Sequence, residues 1–332
     1  MSAEKVAWWI ILMSLQLTQF SFASTQPIII DTDIGSFYDD FMAIATAVKN
    51  PIFDIKLLVT CSDDTVARAK VAAKFLTLLG YDHIPIGIGL TTMNKTEHAL
   101  FGWAEDFDLA TYRGTILENG ISAMAKVIEN SSIPVNILAL GPMTNFPMLL
   151  NAYPDVISNA RIKAAGGSIY HGYRNSSKPV PEYNFAVCSG CVSQVLQAGW
   201  NITIAPLDIT SVGTLTPLQT RSFLEKTNTA SLVIGNTLVY YCSNASYFFQ
   251  LDNCNFSISN MVYFDAVATL LLFPNSSDFF IFKELNISMN SDGFSVVDSA
   301  KGAKAEVALN WNGVNNDAID KYRDYISNTL TN

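Results

Sequence analysis

Four carboxylates stand close together near the start of the chain. Asp31 and Asp33 follow three isoleucines at 28–30, and Asp39 and Asp40 come shortly afterwards. Carboxylates this close repel one another at neutral pH unless a cation or a proton neutralises them. Ca²⁺ binds clustered carboxylate oxygens and tolerates irregular loop geometry. The spacing therefore indicates a divalent metal site. The alternative is local, with Asp39 capping a helix and Asp33 stabilising a turn.

The residues around these carboxylates predict a strand followed by a helix. Three consecutive isoleucines favour a buried strand. The apolar run from Phe41 to Ala45 favours a helix that ends at Asn50 and Pro51. Open α/β sheets bind ligands at the carboxyl ends of their central strands. We therefore expect the four carboxylates at the ligand-binding edge of a sheet.

The rest of the chain alternates strand-like and helix-like segments. Strands are predicted over residues 55–60, 84–90, 135–140, 161–165 and 202–208. Helices are predicted over residues 65–79, 116–130 and 315–330, with further helical pattern between 215 and 275. The tail from 279 to 309 alternates polar and apolar residues, which favours antiparallel edge strands. The pattern predicts an α/β fold with one open, mostly parallel sheet, covered on both faces and carrying a few antiparallel edge strands.

Length and charge narrow the class of protein. The chain has 332 residues, of which 49% are hydrophobic, enough to bury a sizeable core. No stretch rich in proline, glycine or serine divides it, so one domain over residues 24–332 is expected. The formal net charge of −9 argues against nucleic acid and anionic membranes as partners.

The amino terminus has the pattern of a signal peptide over residues 1–23. Lys5 precedes the apolar run 6–13, and small residues at 21–23 are typical of a cleavage site. The apolar run is short for a membrane span, although a signal anchor is the alternative. We therefore expect a secreted or secretory-pathway glycoprotein with no stable membrane association. Eight Asn-x-Ser/Thr sequons are candidate glycosylation sites: Asn94, Asn130, Asn175, Asn201, Asn244, Asn255, Asn275 and Asn286.

The five cysteines give no metal framework. Cys188 and Cys191 have CxxC spacing, but zinc would need two further ligands and the chain has only three histidines. A redox pair is one interpretation, and two ordinary residues near a helix start are the favoured one. Cys242 and Cys254 could close a short disulfide loop, and Cys61 is expected to pack as a small buried residue.

Three further motifs carry polar groups suited to a ligand site. Residues 138–145 (Leu-Ala-Leu-Gly-Pro-Met-Thr-Asn) predict a strand-to-helix turn. Residues 181–185 (Pro-Glu-Tyr-Asn-Phe) predict a polar loop that leads into a helix. Asp265 lies in the apolar segment 261–268, where burying a bare carboxylate is costly. We therefore expect Asp265 to be paired or metal-bound.

Together, these motifs resemble those of the inosine-uridine preferring nucleoside hydrolases, over residues 27 to 330. That family has Asp-x-Asp-x-Gly followed by Asp-Asp, a Gly-Pro-Leu-Thr-Asn turn, a Glu-Phe-Asn element and an aspartate near the carboxyl terminus. Here the spacer before Asp-Asp is longer, at residues 36–38. The resemblance implies a Rossmann-like nucleoside hydrolase fold and calcium-dependent hydrolysis of ribonucleosides to free base and ribose. Because nucleosides carry no phosphate, an acidic protein binds them without electrostatic penalty. A homo-oligomeric assembly stays open.

The resemblance also implies roles for individual residues. The expected calcium ligands are Asp33, Asp40, the Leu140 carbonyl and Asp265. Asp33 is in addition the expected general base for the attacking water. The expected ribose-binding residues are Asp39, Glu182 and Asn184, with one more contact from Asp63 or Asp64. The last pair is ambiguous because the family's Gly-Asn reads Ser62-Asp63-Asp64 here. Asp31 is expected to contact the metal ligands without binding the metal itself.

One departure from the family concerns the leaving group. Many members have a histidine before the last aspartate, which helps to protonate the departing base, and this chain has Phe264. The candidate substitutes are Tyr240, Tyr241, Tyr247 and His171. The candidate stacking partners for the base are Phe37, Trp103 and Tyr241.

Two other functions remain open from the sequence. One is a catalytically silent nucleoside-binding protein with the same fold, which the missing histidine favours. The other is a metal-dependent phosphatase with Asp31 as nucleophile and Asp33 as acid/base, which leaves Asp265 and Asn184 without a role.

Overall fold

A computed structural model describes residues 25–93, 97–244, 260–314 and 317–331. Several predictions fall wholly or partly outside these residues: the signal peptide, the sequons at Asn94 and Asn255, the Cys242–Cys254 bond and the role of Tyr247. The domain bounds 24–332 stay a prediction.

Ten of the described strands form one sheet, and two form a small separate pair. The strands are β1 Gln26–Thr32, β2 Phe53–Thr60, β3 Ile86–Ile88, β4 Ile116–Leu117, β5 Val135–Ala139, β6 Ala160–Ala165, β7 Asn201–Ala205, β8 Thr214–Leu215, β9 Met261–Val262, β10 Phe280–Met289, β11 Ser295–Val297 and β12 Ala303–Trp311. The sheet order is β11-β10-β12-β7-β6-β5-β1-β2-β3-β4, and β8 pairs with β9. This confirms the predicted open, mostly parallel α/β sheet.

Helices connect the strands and cover the sheet. They are α1 Asp39–Lys49, α2 Thr65–Leu79, α3 Gly120–Glu129, α4 Phe146–Ala152, α5 Tyr183–Val187, α6 Ser189–Gln197, α7 Leu207–Thr210, α8 Pro217–Leu224, α9 Thr229–Asn244, α10 Phe264–Ala268 and α11 Asp317–Thr331. Short 3₁₀ helices lie at Gly102–Ala104, Leu109–Thr111, Pro154–Asn159, Tyr173–Asn175, Thr269–Leu272 and Ser276–Asp278.

The strand β1 lies where the strand order reverses. It pairs in parallel with β2 on one side and with β5 on the other, and the chain continues outward in both directions. A crevice opens outside the carboxyl ends of the strands at such a point, where α/β sheets bind ligands. The carboxyl end of β1 is Asp31-Thr32, so the sheet topology itself brings the first carboxylates to that crevice.

Both faces of the sheet are buried, and alternate residues of β1 serve the two faces. Ile28 and Ile30 pack in one apolar cluster, whereas Ile29 packs in the other. All three are fully buried, as expected for a central strand with helices on both sides. Helix α1 is buried along nearly its whole length and packs against α10 and α11. The core therefore fixes both segments that carry the amino-terminal carboxylates.

Several elements differ from the sequence prediction. The predicted strand 202–208 ends at Ala205, because Pro206 caps the short helix α7 that follows. The strand predicted over 84–90 is reduced to three residues. The first two residues of the helix predicted over 116–130 form β4, and α3 begins at Gly120. At the tail, β10 is antiparallel to β11 and β12, but β12 joins the main sheet in parallel with β7.

The cysteines include one correction. Cys188 and Cys191 form a disulfide, so the interpretation of two ordinary residues was wrong. Cys61 is a free thiol and is fully buried, as predicted. Among the described sequons, Asn130, Asn175, Asn201 and Asn275 are exposed, and Asn244 and Asn286 are half-buried. In the part of the chain that is described, no helix has the length and hydropathy to cross a bilayer.

Candidate active site

Three aspartates from two helices meet at the carboxyl edge of the sheet. Asp39 and Asp40 open α1, and Asp265 lies in the first turn of α10. One carboxylate oxygen of each lies within 4.8 Å of those of the other two. All three side chains are buried, with 2–6% of their surface exposed. Residues separated by more than two hundred positions therefore form one cluster of hard oxygen donors.

Without a bound cation, the negative charges of these three buried carboxylates destabilise one another. Burial raises the pKa of Asp39 to about 7, and the negative charge of Asp33 contributes to the rise. Burial and neighbouring carboxylates also raise the pKa of Asp40 and of Asp265 well above the usual value. Among the described residues, no ion pair reaches these three side chains, and Asp40 accepts a hydrogen bond from the hydroxyl of Thr32. Buried carboxylates without a positive counter-charge are costly, so this donor set fits a divalent cation.

Asp33 lies beside the cluster rather than among its three closest oxygens. Its carboxylate is 3.9 Å from the Arg68 guanidinium, and its side chain is 8% exposed. Burial raises its pKa, while Arg68 opposes the rise. The negative charge of Asp33 contributes to the raised pKa of Asp39 and of Asp40. The role of Asp33 as a catalytic base stays a prediction.

Gly141 allows the turn after β5 to approach Asp33. A Cβ atom at Gly141 would lie 2.7 Å from the Cys61 sulfur and 2.8 Å from both the backbone nitrogen and Oδ1 of Asp33. Side chains do not tolerate such distances. The glycine of the Gly-Pro-Met-Thr-Asn motif is therefore required by close approach, beyond its use in a turn.

Asp31 is a supporting residue of the cluster. It is fully buried, and Oδ2 accepts a hydrogen bond of 2.6 Å from the Asn145 side chain. Asn145 also donates to the Thr60 carbonyl and accepts from the Leu90 backbone, so it ties together the carboxyl ends of β1 and β2 and the loop after β3. Burial raises the pKa of Asp31 to about 7. A nucleophile must reach its substrate, and this carboxylate is buried behind the site, which argues against the phosphatase alternative.

Arg68 is a site residue that the sequence analysis missed. Its side chain is fully buried and enters the loop after β1 from helix α2. The guanidinium donates to the carbonyls of Ser62, Asp33 and Ile34, to the Ser36 hydroxyl, and to Asp63 Oδ2 at 3.0 Å. These bonds engage all three nitrogens of the guanidinium and join the loop after β1 to the loop after β2. Its position inside a helix, four residues after Asp64, was the only sequence signal.

The structure separates the adjacent residues Asp63 and Asp64. Asp64 caps α2 by accepting from the Ala67 backbone at 3.0 Å. One carboxylate oxygen of Asp64 therefore serves the helix, and the ribose contact from Asp63 or Asp64 stays a prediction. Asp63 is buried and pairs with Arg68, and His98 Nε2 lies 2.9 Å from its Oδ2. The backbone of Ser62 and Asp63 is left-handed, with φ of 63° and 49°. This turn separates the carboxylates of Asp63 and Asp64.

His98 was also missed by the sequence analysis. Besides Asp63, its ring lies 3.3 Å from Arg68 and stacks edge-on against Phe101 at 4.9 Å. Burial, followed by the positive charge of Arg68, lowers the pKa of His98. One of only three histidines in the chain, it lies in the long irregular segment after β3, where functional loops are common.

Glu182 and Asn184 lie at the start of helix α5, beside the turn after β5. Glu182 caps α5 by accepting from the backbone of Asn184 and Phe185, and it also accepts from Gly167 at 2.8 Å. Burial raises the pKa of Glu182 to about 7. The Asn184 amide group donates to the carbonyls of Leu140 at 2.6 Å and Ala165 at 3.1 Å. Both donor hydrogens are used, so Oδ1 of Asn184 stays available for a ligand hydroxyl.

The Leu140 carbonyl therefore already accepts one strong hydrogen bond. It follows β5 directly, and its backbone nitrogen donates to the Asp31 carbonyl at 2.8 Å. A carbonyl oxygen has two lone pairs, so a second partner is compatible with this arrangement.

An aromatic rim stands next to the acidic cluster. Phe264 is half-buried, with its ring centre 6.4 Å from that of Phe37 and 5.8 Å from that of Tyr173. Phe37 also contacts Tyr241, which is fully buried and whose hydroxyl has no hydrogen-bond partner among the described residues. Burial raises the pKa of Tyr241, so its hydroxyl keeps its proton. The rim offers apolar surface beside the carboxylates.

Two earlier candidates lie elsewhere. Trp103 packs in the core against Phe41 at 5.8 Å and under the Lys74 ammonium at 5.0 Å, so it is corrected as a stacking partner for a base. His171 is exposed, and its carbonyl accepts from Ser168.

Comparison with known proteins gives a consistent result. The family model described as inosine-uridine preferring nucleoside hydrolase matches residues 28–320. A non-specific ribonucleoside hydrolase of Salmonella schwarzengrund is 31% identical over 217 residues, which cover 62% of this chain and 69% of that protein. A pyrimidine-specific ribonucleoside hydrolase of Salmonella paratyphi B is 28% identical over 229 residues, covering 65% and 71% respectively.

Solved structures show the same fold at low sequence identity. A plant nucleoside hydrolase superimposes with a TM-score of 0.75 at 18% identity, covering 92% of this chain and 99% of that one. A purine-preferring ribonucleoside hydrolase of Gardnerella vaginalis has a TM-score of 0.73 at 17% identity, with the same coverage.

Proposed function

Because the chain belongs to the inosine-uridine preferring nucleoside hydrolase family, we propose that it hydrolyses the N-glycosidic bond of ribonucleosides in a calcium-dependent reaction. The observation that carries the proposal is the buried cluster of Asp39, Asp40 and Asp265. Such a cluster is unfavourable without a cation, and its oxygen donors suit Ca²⁺. The curated relatives that bear the name ribonucleoside hydrolase support the same reaction.

The proposed metal ligands are Asp33, Asp40, Asp265 and the Leu140 carbonyl, with Asp39 adjoining them. When bound there, Ca²⁺ supplies positive charge that orients the ribose diol and makes a neighbouring water easier to deprotonate. Asp33 is suited to accept that proton because its carboxylate lies beside the cluster and can contact both the cation and the water. Asp33 is thus the proposed catalytic base.

The proposed ribose contacts come from Asp39, Glu182, Asn184 and Asp63. Glu182 and Asn184 are rigidly placed because their remaining polar atoms are bonded to backbone groups. Buried carboxylates around the sugar favour the positive charge that develops on the ring as the base departs. The chain's own residues therefore bind the ribose, orient it and stabilise the transition state.

The aromatic rim is the proposed site for the base. Phe37, Phe264 and Tyr173 provide apolar surface beside the carboxylates. Phe264 has no transferable proton. We therefore expect rates to depend strongly on how easily the base leaves.

Riboside cleavage tests the proposal directly. The purified protein is incubated with calcium and with purine, pyrimidine and nicotinamide ribosides, together with 4-nitrophenyl riboside, whose leaving group needs no protonation. Asp33→Asn keeps an oxygen near the metal but removes the proton acceptor, so turnover should fall by about 10²–10⁴-fold. Asp64→Asn is the matched control, because asparagine caps a helix as well as aspartate does. If neither natural nor activated ribosides are cleaved, the silent nucleoside-binding protein is the better conclusion.

Secretion and glycosylation are further proposals. They rest on the signal-peptide pattern over 1–23 and on the exposure of four described sequons. The proposed partner of the protein is a small-molecule nucleoside, and the proposed reaction involves neither nucleic acid nor a membrane.

A further inference from the structure

The Cys188–Cys191 disulfide stands at the corner between two helices. Cys188 is both the residue that ends α5 and the residue that caps the amino terminus of α6. The two Cα atoms are 5.2 Å apart, and the Val192 backbone donates to the Cys188 carbonyl at 3.1 Å. The bond therefore spans the first turn of a nine-residue helix.

A purely structural role explains this disulfide poorly. A cross-link restricts the unfolded chain less as the loop it closes becomes shorter, and only Ser189 and Gly190 lie between these cysteines. The bond is also accessible, because both cysteines are half-buried and Gly190 is exposed. A Cβ atom added at Gly190 would meet no atom within 4 Å, so a thiol can approach from that side.

The location suits thiol chemistry. A CxxC pair at a helix amino terminus is an arrangement in which the helix dipole stabilises a thiolate. The first turn of α6 has no acidic residue to oppose that effect. Cys61, by contrast, is fully buried, and burial raises the pKa of its thiol well above the usual value.

We propose that Cys188 and Cys191 form a thiol–disulfide exchange site whose oxidation state sets the affinity of the ribose-binding corner. The thiolate of an external thiol reductant attacks one of the two sulfurs, the S–S bond breaks, and a mixed disulfide forms. A second reductant thiol then displaces the protein sulfur. The products are two cysteine thiols and one oxidised reductant disulfide, so two electrons and two protons pass to the protein.

Helix α5 connects the disulfide to the proposed ribose-binding residues, so reduction of the bond can affect them. This helix has five residues, begins at the cap Glu182 and carries Asn184, four positions before Cys188. Its amino end is held by Glu182 and by the buried Phe185 ring, whereas the disulfide holds its carboxyl end. Opening the bond frees that end and loosens the side chains that contact ribose. This coupling rests on the proposed function.

Differential alkylation of the intact protein tests the exchange site itself. The native protein is equilibrated in dithiothreitol buffers of graded redox poise, alkylated, and mapped by peptide mass, so that Cys188 and Cys191 are followed separately from Cys61 and Cys242. We expect Cys188 and Cys191 to titrate reversibly together without denaturant, while Cys61 stays unlabelled. Labelling of the pair only after denaturation would overturn the proposal.

Riboside kinetics test the coupling. Reduction of the wild type should raise KM by about 5- to 10-fold, at the lower end of typical couplings between sites, with a smaller change in kcat. The C188S/C191S variant should show the raised KM with or without dithiothreitol. A KM that is unchanged on reduction, or that changes equally in this variant, overturns the coupling. If the oxidised protein cleaves no riboside, the proposed function fails, while the alkylation result still decides the exchange site.

Discussion

Replacing Asp39 by asparagine should stabilise the metal-free protein, although it removes a residue of the proposed active site. The carboxyl group has a pKa of about 7 in the folded protein, against 3.8 as the reference value. The folded protein therefore binds a proton on the Asp39 carboxyl group more tightly than the unfolded chain does. The associated stability is fully present below pH 3.8 and is lost as the pH rises through 7.

The size of the loss follows from the difference in pKa. A shift of about 3 units corresponds to roughly 4 kcal/mol at pH 8, since each unit is worth about 1.36 kcal/mol. Asparagine has nearly the same shape and no charge, so Asp39→Asn should recover up to that amount. It also removes a charge that raises the pKa of Asp40 and Asp265.

Urea unfolding, followed by tryptophan fluorescence, measures this effect. With a chelator present, we expect Asp39→Asn to exceed the wild type in free energy of unfolding at pH 8 and to lie much closer to it at pH 5. With calcium at one hundred times its dissociation constant, the wild type gains about 2.7 kcal/mol. The variant should gain less, because the cluster has lost a carboxylate, so calcium should narrow or reverse the difference between the two proteins.

The control is Asp64→Asn, which changes a nearby carboxylate that caps α2 and should leave stability unchanged at both pH values. The reasoning is refuted if the metal-free wild type is as stable at pH 8 as at pH 5, or if Asp39→Asn gains nothing under those conditions.

Three further predictions concern other parts of the chain. Arg68→Met leaves Asp63 and several buried carbonyls without their donor, so the free energy of unfolding should fall by about 3–5 kcal/mol in urea titrations; Arg68→Lys should recover only part of it, and full recovery would contradict the role of the five donors. Phe264→His should leave 4-nitrophenyl riboside cleavage unchanged and speed the release of poor leaving bases, as followed by chromatography of the free base; equal acceleration of both would argue against a role in leaving-group protonation. Expression in a secreting eukaryotic host should give a mature amino terminus near Ser24 and a mass shift on deglycosylation, and a retained Met1 with no shift would exclude the secretory prediction.

The sequence predicts the elements that depend on local pattern. Helix α2 begins at Thr65 and ends at Leu79 as predicted, because Asp64 caps it and Gly80 follows in the left-handed conformation, with φ 81°. The isoleucine run gives β1, and the carboxylates after it mark the crevice. Apolar periodicity and cap residues are properties of neighbouring positions, so one sequence is enough to identify them.

The contacts that complete the site could not be predicted in the same way. Asp63 and Asp64 are chemically identical neighbours, and only the left-handed backbone at Ser62 and Asp63 decides which one faces Arg68. Arg68 looks like any basic residue of a surface helix until the fold buries it. The disulfide depends on the corner between α5 and α6, whose geometry the spacing of two cysteines does not specify.

The site joins residues that lie far apart in the sequence, and this separation has a consequence for synthesis of the chain. The Tyr38 hydroxyl donates to the Val262 carbonyl at 3.0 Å across 224 residues, next to the point where Asp265 joins Asp39 and Asp40. A ribosome must therefore make most of the chain before the third carboxylate emerges. Until then the first two have no partner from α10, and β1 can already pair with β2 and β5. The sheet can form early, whereas the cluster of three carboxylates is completed late in synthesis.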